Sequence, residues 1–162
     1  MVVRHATAET FAGEDVDRVL TDRGRADARA LGEWLRDEGI VAEAACVSYA
    51  ARTRETWQIL AEVTGWDVDP QVDGALYGTD EYGALDIVRD NDDAVRTVVV
   101  VGHNPTIAML AQLLDDGDGV GGELTGFPTG AAGVFEIDCG WAELAPMCAR
   151  LASFHVGRAG EA

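Results

Sequence analysis

The chain has 162 residues with 12 basic and 29 acidic side chains, which gives a formal net charge of −17. This length fits a single domain whose core needs neither disulfides nor a metal to hold it together. The acidic surplus argues against a nucleic-acid partner, which requires a basic surface. No apolar run approaches the roughly 20 residues of a membrane span, and the cysteines match no zinc pattern, so we expect a reduced, cytoplasmic protein without a membrane partner.

The first half of the chain alternates short apolar runs with helical patterns. Residues 2–3 (VV) predict the start of a strand. Thr21 is a predicted N-cap, and the apolar spacing after it predicts an amphipathic helix over 21–39. AACVS (44–48) predicts a buried strand, and RTRETWQILAEVTG (52–65) predicts a second helix.

The second half continues the alternation. A weaker helical signal covers 80–91. RTVVVVG (96–102) is apolar on both faces, which is typical of a central strand covered on both sides. A further helix is predicted over 104–116, with Asn104 as its N-cap and Pro105 at its first helical position.

Two late segments, AAGVFEIDC and ARLASFHV, predict additional strands. This order of elements is typical of an α/β three-layer sandwich with a mainly parallel central sheet flanked by helices. We expect one domain over 1–158 and a short tail over 159–162. The acidic, glycine-rich stretch 115–123 lacks the spacing of a calcium loop, and we interpret it as a loop beside a pocket.

Three of the predicted strand-to-helix turns carry residues suited to an anion. They are V-R-H after the first strand, S-Y-A-A-R-T after the second and G-H-N-P after the valine strand. In α/β sheets ligands bind beyond the carboxyl ends of the strands, where helix N-termini favour negative charge. We therefore expect these turns to converge on one phosphate-sized pocket.

Cys46 and Arg52, in CVSYAART, have the spacing of a cysteine-dependent phosphatase loop. Such a loop wraps phosphate with its own backbone amides and usually needs glycine, which this stretch lacks. Inside a buried strand the thiol would have a raised pKa and would be a poor nucleophile. Cys46 is therefore better interpreted as a core residue, whereas Arg52 lies at the turn in either case.

Two histidines directly follow predicted strands, as Arg4-His5 and Gly102-His103. A neutral imidazole can attack phosphorus without a separate base. Guanidinium groups and a second histidine can then stabilise the charge that develops on the phosphoryl group. From the residues alone, this catalytic interpretation competes with a structural one for both histidines.

Six segments in order along the chain carry a family resemblance: VRHATAE, DRVLTDRGRADARALGEWL, VSYAARTRETW, LYGTDEYGAL, VVVVGHNPTIAMLAQLL and FPTGAAGVFEID. Together they resemble the histidine phosphatase (phosphoglycerate mutase-like) superfamily, and within it the short SixA-type phosphohistidine phosphatases. The resemblance covers Val2 to about Arg158. It implies a phosphoglycerate mutase-like fold and a metal-independent phosphatase that needs no cofactor.

The resemblance also implies roles for individual residues. His5 would be the nucleophile that becomes transiently phosphorylated, and Arg4 and Arg52 would bind the phosphate. His103 would be the second histidine of the pocket, donating to a phosphoryl oxygen. Asn104, beside it in G-H-N-P, is a further candidate substrate-binding residue.

Arg18, in the early loop, is a candidate for the pocket rim, although a solvated surface arginine is the alternative. Asp80 and Glu81 are candidate general acids, and the alternative for both is a carboxylate placed at a helix N-terminus. A pocket without a secure acid suits P–N bonds better than P–O bonds, because imidazole leaves readily once it is protonated.

We therefore expect hydrolysis of phosphohistidine or phosphomonoester bonds through phospho-His5. The substrate would be a phosphorylated protein or a small phosphorylated metabolite. The alternatives are a phosphatase for small phosphoesters and a catalytically silent phosphate-binding module, and the short first strand favours the silent module.

Overall fold

A computed structural model describes residues 1–11, 13–120, 124 and 126–160 of the chain. Its strands are β1 (Val2–Arg4), β2 (Ala44–Ser48), β3 (Gln71–Asp73), β4 (Val98–Gly102), β5 (Ala131–Ile137) and β6 (Ala149–Val156). Its α-helices are α1 (Asp22–Asp37), α2 (Ala51–Thr64), α3 (Glu81–Arg89) and α4 (Thr106–Leu114). Short 3-10 turns cover Asp15–Asp17, Ala75–Tyr77 and Trp141–Glu143.

The strands of the described residues form one six-stranded sheet in the order β3-β2-β4-β1-β5-β6. The first four strands in this order are mutually parallel, whereas β5 and β6 add two antiparallel pairings at one side. The predicted α/β class with a mainly parallel sheet is confirmed. Because β2, β4 and β1 are neighbours, their carboxyl ends lie side by side, and the three turns noted in the sequence follow those ends.

The valine strand β4 lies between two apolar layers. Val98 and Val100 pack into one core cluster with α3 and α4, and Val99 and Val101 pack into the other with α1 and α2. Alternation of side chains across a strand places successive valines on opposite faces. Burial on both faces explains why this strand has no polar residue between Val98 and Val101.

The predicted helix after β4 begins later than the sequence suggests. It was expected over 104–116 with Asn104 as N-cap, but α4 starts at Thr106 and has no side-chain cap. The Asn104 amide instead donates from Nδ2 to the Phe127 carbonyl at 2.9 Å, so the side chain faces a different loop. The N-cap prediction was wrong for this reason.

The acidic stretch 115–123 falls partly outside the described residues, which omit 121–123. Its described part lies along β6: the Asp116 amide donates to Ala149 O and the Val120 amide donates to Leu151 O, both at 2.9 Å. Strand β3 was missing from the sequence prediction. It has only three residues, two of them exposed.

In the described ranges, each helix is too short or too polar to cross a lipid bilayer.

Candidate active site

The two histidines of the predicted pocket lie side by side at the carboxyl ends of β1 and β4. Arg4 pairs with Gly102 in the parallel register, and the His5 amide donates to Gly102 O at 3.1 Å. The residue after each strand end is therefore a histidine. The ring centroids of His5 and His103 are 5.2 Å apart with an interplanar angle of 57°.

Within the part of the chain that the structure describes, the His5 ring has a hydrogen-bond partner at Nδ1 and none at Nε2. Its Nδ1 lies 2.7 Å from the Ala6 carbonyl oxygen, which can only accept, so Nδ1 carries the hydrogen and Nε2 keeps its lone pair. The side chain is buried at 9% exposure. Burial, and then the charges of Arg52, Arg4 and Arg18, lower the pKa of His5 to about 4. The ring is neutral at pH 7 and presents a free Nε2.

The His103 ring is held from β2. Its Nε2 lies 2.8 Å from the hydroxyl of Ser48, the last residue of β2, which is fully buried. Burial, and then the charges of His5 and Arg52, lower the pKa of His103 to about 3. When the Ser48 hydroxyl donates to Nε2, the hydrogen of this neutral ring is on Nδ1, which makes Nδ1 a donor.

Arg52 is a buried guanidinium in the first turn of α2, at 5% exposure. Its Nη1 donates to the backbone carbonyl of Asp15 at 2.7 Å, and its Nη2 donates to Asp15 Oδ2 at 3.0 Å. Tyr77 lies on its face, with the guanidinium carbon 5.8 Å from the ring centroid. Arg52 is thus held on two sides by segments distant in the chain.

Arg4 and Asn104 share one hydrogen-bond acceptor, the backbone carbonyl of Phe127. The Arg4 Nη1 donates to Phe127 O at 3.0 Å, and the Asn104 amide donates to the same oxygen. Burial lowers the pKa of Arg4, although the guanidinium stays protonated at neutral pH. The Gly130 amide donates to His5 O at 3.1 Å.

Unsatisfied polar atoms collect at this place in the molecule. Among the residues that the structure describes, the buried side-chain atoms without a hydrogen-bond partner are Arg4 Nε, Arg52 Nε, His103 Nδ1 and Asn104 Oδ1. Each such group costs about 1–3 kcal/mol when it stays unpaired. All of them belong to residues singled out in the sequence as phosphate-binding or substrate-binding candidates. Two guanidinium nitrogens and an imidazole nitrogen are suited to a bound oxyanion.

Arg18, the candidate rim residue, is partly exposed and contacts the loop around Asp15. Its Nε donates to Asp15 Oδ1 at 2.8 Å, its Nη1 donates to Glu9 O at 3.0 Å, and its side chain is 27% exposed. Because its charge contributes to the lowered pKa of His5, it acts on the nucleophile candidate over a longer range. Its guanidinium is held by Asp15 and Glu9, so it is not a fully solvated surface arginine.

The candidate general acids are less well placed. Asp80 is exposed and is the N-cap of α3, where its carboxylate accepts from the Gly83 amide at 2.9 Å. Glu81 is half-buried in the first turn of the same helix. For Asp80, this is the capping contact expected from the structural alternative.

Cys46 lies inside β2 at 2% exposure and packs in the core with Val98 and Val100. Burial raises the pKa of its thiol. A protonated thiol inside a strand cannot serve as the nucleophile. The cysteine spacing in CVSYAART is therefore coincidental, as the lack of glycine indicated.

Three residues at the site were not found from the sequence: Asp15, Ser48 and Tyr77. Ser48 had a signal, since it ends a predicted strand just before the S-Y-A-A-R-T turn. Asp15 and Tyr77 had none, because both lie in short 3-10 turns with no periodic pattern. The Tyr77 ring is nearly perpendicular to the His103 ring, with centroids 5.4 Å apart.

The chain is similar to known proteins of one superfamily. A model of the histidine phosphatase superfamily (branch 1) matches residues 1–81. An uncharacterized protein of Mycobacterium tuberculosis (strain H37Rv) is 35% identical over 162 residues, which cover 96% of this chain and 100% of that protein. Phosphohistidine phosphatase SixA of Escherichia coli (strain K12) is 24% identical over 119 residues, which cover 72% of this chain and 74% of that protein.

Among solved structures, a protein of Nakamurella multipartitia provisionally assigned as phosphohistidine phosphatase SixA superposes with a TM-score of 0.84. It is 33% identical, and the match covers 96% of this chain and 93% of that one.

Proposed function

The chain belongs to the histidine phosphatase superfamily, and on this premise we propose that it hydrolyses phosphohistidine or phosphomonoester bonds through a phosphohistidine intermediate on His5. The observation that carries the proposal is the set of unpartnered buried donors among the described residues, namely Arg4 Nε, Arg52 Nε and His103 Nδ1. Unpaired donors on this scale are costly in a folded protein, and a phosphoryl group bound between them would satisfy them.

The first chemical step follows from the state of His5. The lone pair on Nε2 attacks phosphorus, an Nε2–P bond forms, and the bond from phosphorus to the leaving group breaks with its electron pair. Nδ1 keeps its hydrogen on Ala6 O, so the phosphorylated ring carries a positive charge that this hydrogen bond stabilises. Guanidinium and imidazole donors stabilise the negative charge on the phosphoryl oxygens.

In the second step water attacks the phosphorus of phospho-His5. A new P–O bond forms, the Nε2–P bond breaks, and its electron pair returns to Nε2 as the lone pair. The attacking water gives its proton to the departing phosphate or to solvent. Because the pKa of His5 is lowered to about 4, the regenerated ring is neutral and ready for another cycle.

The leaving group favours phosphohistidine on a protein as the substrate. A serine or sugar alkoxide needs an acid. Of the two candidates, Asp80 is engaged as a helix cap, and Glu81 lies in the first turn of the same helix, where the helix dipole favours its charged form. Asp15, although near the site, has its pKa lowered to about 2, first by the Tyr77 hydroxyl and then by Arg52, so it holds no proton at pH 7. A phosphohistidine ring protonated on its other nitrogen leaves as neutral imidazole and needs no such acid. The name of the Escherichia coli relative, phosphohistidine phosphatase SixA, supports the same substrate class.

The test is turnover in the presence of EDTA, with phosphohistidine protein and p-nitrophenyl phosphate as substrates. Wild type and Cys46→Ser should hydrolyse both, and His5→Ala should lose at least about 1000-fold, as removal of a catalytic nucleophile does. Stopped reactions should leave on the wild-type protein a phosphate that is labile to acid and stable to base.

Two results would contradict the proposal. Activity that survives in His5→Ala and disappears in Cys46→Ser would restore the cysteine mechanism. Phosphate binding without turnover of either substrate would indicate a silent binding module. Faster hydrolysis of small phosphoesters than of phosphohistidine protein would keep the mechanism and change the substrate class.

A further inference from the structure

Asp15 makes more contacts with the candidate site than any role discussed so far requires. Its Oδ2 accepts from Arg52 Nη2 at 3.0 Å and from the Tyr77 hydroxyl at 2.5 Å. Its Oδ1 accepts from Arg18 Nε at 2.8 Å, and its backbone carbonyl accepts from Arg52 Nη1. One residue of a short 3-10 turn thus joins two arginines and a tyrosine.

These contacts determine which edge of the Arg52 guanidinium is left for a ligand. Both terminal nitrogens donate to Asp15, whereas Nε is buried and unpartnered. A planar guanidinium that is held at two nitrogens cannot rotate about its terminal bond without breaking one of the contacts. Asp15 therefore fixes the plane of Arg52 while the Nε–H stays free.

Tyr77 extends the same arrangement to the second histidine. Its hydroxyl donates to Asp15, its ring lies against the Arg52 guanidinium, and its ring plane is nearly perpendicular to that of His103. The Asp15 carboxylate thus contacts both Arg52, 37 residues away in the chain, and Tyr77, 62 residues away. The Tyr77 hydroxyl and the two arginines lower the pKa of Asp15 to about 2 against the opposing effect of burial, so the carboxylate is charged under assay conditions.

A carboxylate beside an anion site can act in two opposite ways. It can repel or compete with phosphate for the arginines, in which case removing its charge strengthens phosphate binding. It can instead orient the arginines, in which case removing it weakens binding although a repulsive charge has gone. The two roles therefore predict opposite changes in phosphate affinity when the charge of Asp15 is removed.

We propose that Asp15 is a positioning residue for phosphate: it orients the guanidiniums of Arg52 and Arg18 so that the free edge of Arg52 faces the bound phosphoryl group. This inference rests on the proposed function, because it takes the pocket of His5 and His103 as the phosphate site. Tyr77 supports Asp15 through its hydroxyl.

The test is the dissociation constant of inorganic phosphate, measured by calorimetry for wild type and Asp15→Asn. Asparagine keeps the size of the side chain but removes the charge and one acceptor. We expect binding to weaken about five- to tenfold, the effect of losing charged hydrogen bonds at a pair that is only half exposed. The value of kcat/KM for p-nitrophenyl phosphate should fall by at least the same factor.

Asp17→Asn is the matched control. It removes the same charge from the same 3-10 turn, and in the described parts of the chain its exposed carboxylate makes no side-chain hydrogen bond or ion pair. Phosphate affinity should stay unchanged or rise slightly in this variant. Tyr77→Phe keeps the ring and removes the hydroxyl, and should weaken phosphate binding about two- to threefold.

Unchanged or tighter phosphate binding in Asp15→Asn would overturn the inference and assign Asp15 the competing role. If Asp15→Asn does not fold, Tyr77→Phe decides in its place, and full phosphate affinity there would overturn it equally. The proposed function is separable from this outcome. If the wild type binds phosphate but turns over neither substrate, the proposed function is contradicted and the role of Asp15 is not. The comparison of dissociation constants does not depend on catalysis.

Discussion

The hydroxyl of Thr56 links the second helix to the backbone beside the candidate nucleophile, and its removal should reduce both stability and activity. Thr56 is fully buried in α2. Its Oγ1 accepts from the Ala6 amide at 3.1 Å and donates to Arg52 O at 2.7 Å. Ala6 is also fully buried, and its carbonyl is the partner of His5 Nδ1. One hydroxyl thus positions the residue that orients the His5 ring.

Thr56→Val keeps the shape of the side chain and leaves the Ala6 amide without an acceptor. An unsatisfied buried donor costs about 1–3 kcal/mol, which for a chain of this size lowers Tm by about 2–4 °C per kcal/mol. If Ala6 moves to find another partner, the His5 ring moves with it, and a displacement of about 1 Å can cost 100-fold in rate. Urea unfolding and kcat/KM on p-nitrophenyl phosphate measure the two effects.

Two further variants separate this hydrogen bond from other effects of the substitution. Thr64→Val removes a similar bond, from Thr64 Oγ1 to Leu60 O in the same helix, and should leave activity unchanged. Thr56→Ser keeps the hydroxyl and should retain activity within about threefold, although it loses a buried methyl group worth about 1 kcal/mol. The reasoning is refuted if Thr56→Val keeps full activity and stability, or if Thr56→Ser loses as much activity as Thr56→Val.

Three other predictions concern protonation, the C-terminal segment and the candidate acid. Because the pKa of His5 is lowered to about 4, below the ~6.5 of an unfolded histidine, its NMR signals should show a neutral ring down to about pH 5. The unfolding free energy should fall as the pH drops from about 6.5 towards 4, because the unfolded chain binds a proton that the folded chain does not. Titration of His5 near pH 6.5 would contradict this. The Asp27 carboxylate is 5% exposed and accepts from the Ala159 amide at 2.9 Å. Asp27→Asn should therefore lower the free energy of unfolding in urea by about 1–2 kcal/mol, whereas the exposed control Asp37→Asn should lower it by almost nothing, and equal losses would count against this role. Asp80→Asn preserves a good helix cap and should leave phosphohistidine turnover within about threefold, whereas a large loss would identify Asp80 as the acid.

The parts of the fold that the sequence predicts well carry strong local signals. Thr21 caps α1 by accepting from the Gly24 amide, as its position before the apolar pattern indicates. The four valines of β4 are buried, as their unbroken run indicates. Strand β3 has no comparable signal, since three residues at a sheet edge are defined by pairing with β2 and not by their own pattern.

The same distinction applies to the candidate site. His5, Arg52 and His103 follow strand ends, so the order of strands in a parallel sheet brings them together, and local motifs suffice to find them. Asp15 contacts Arg52 across 37 residues, and Ser48 contacts His103 across 55. The first contact depends on where a 3-10 turn packs against α2, which no periodicity or capping rule predicts. The second depends on the parallel register of β2 and β4, which the sequence does not specify. The start of α4 was missed for a related reason, since the Asn104 side chain bonds to Phe127, 23 residues away.

A chain with a net charge of −17 can still bind a dianion. Salt and distance weaken the repulsion from remote carboxylates much more than the attraction of arginines in the site. At ~20 Å in water and physiological salt, with a screening length of about 8 Å, one carboxylate repels a unit charge by only about 0.02 kcal/mol. If all 17 net negative charges lay at that distance, their combined repulsion of a phosphate dianion would be less than about 1 kcal/mol. A guanidinium ~4 Å away attracts one unit charge by about 4 kcal/mol at an effective dielectric constant of 20. Phosphate affinity should thus depend on the orientation of Arg4 and Arg52 far more than on the net charge of the chain.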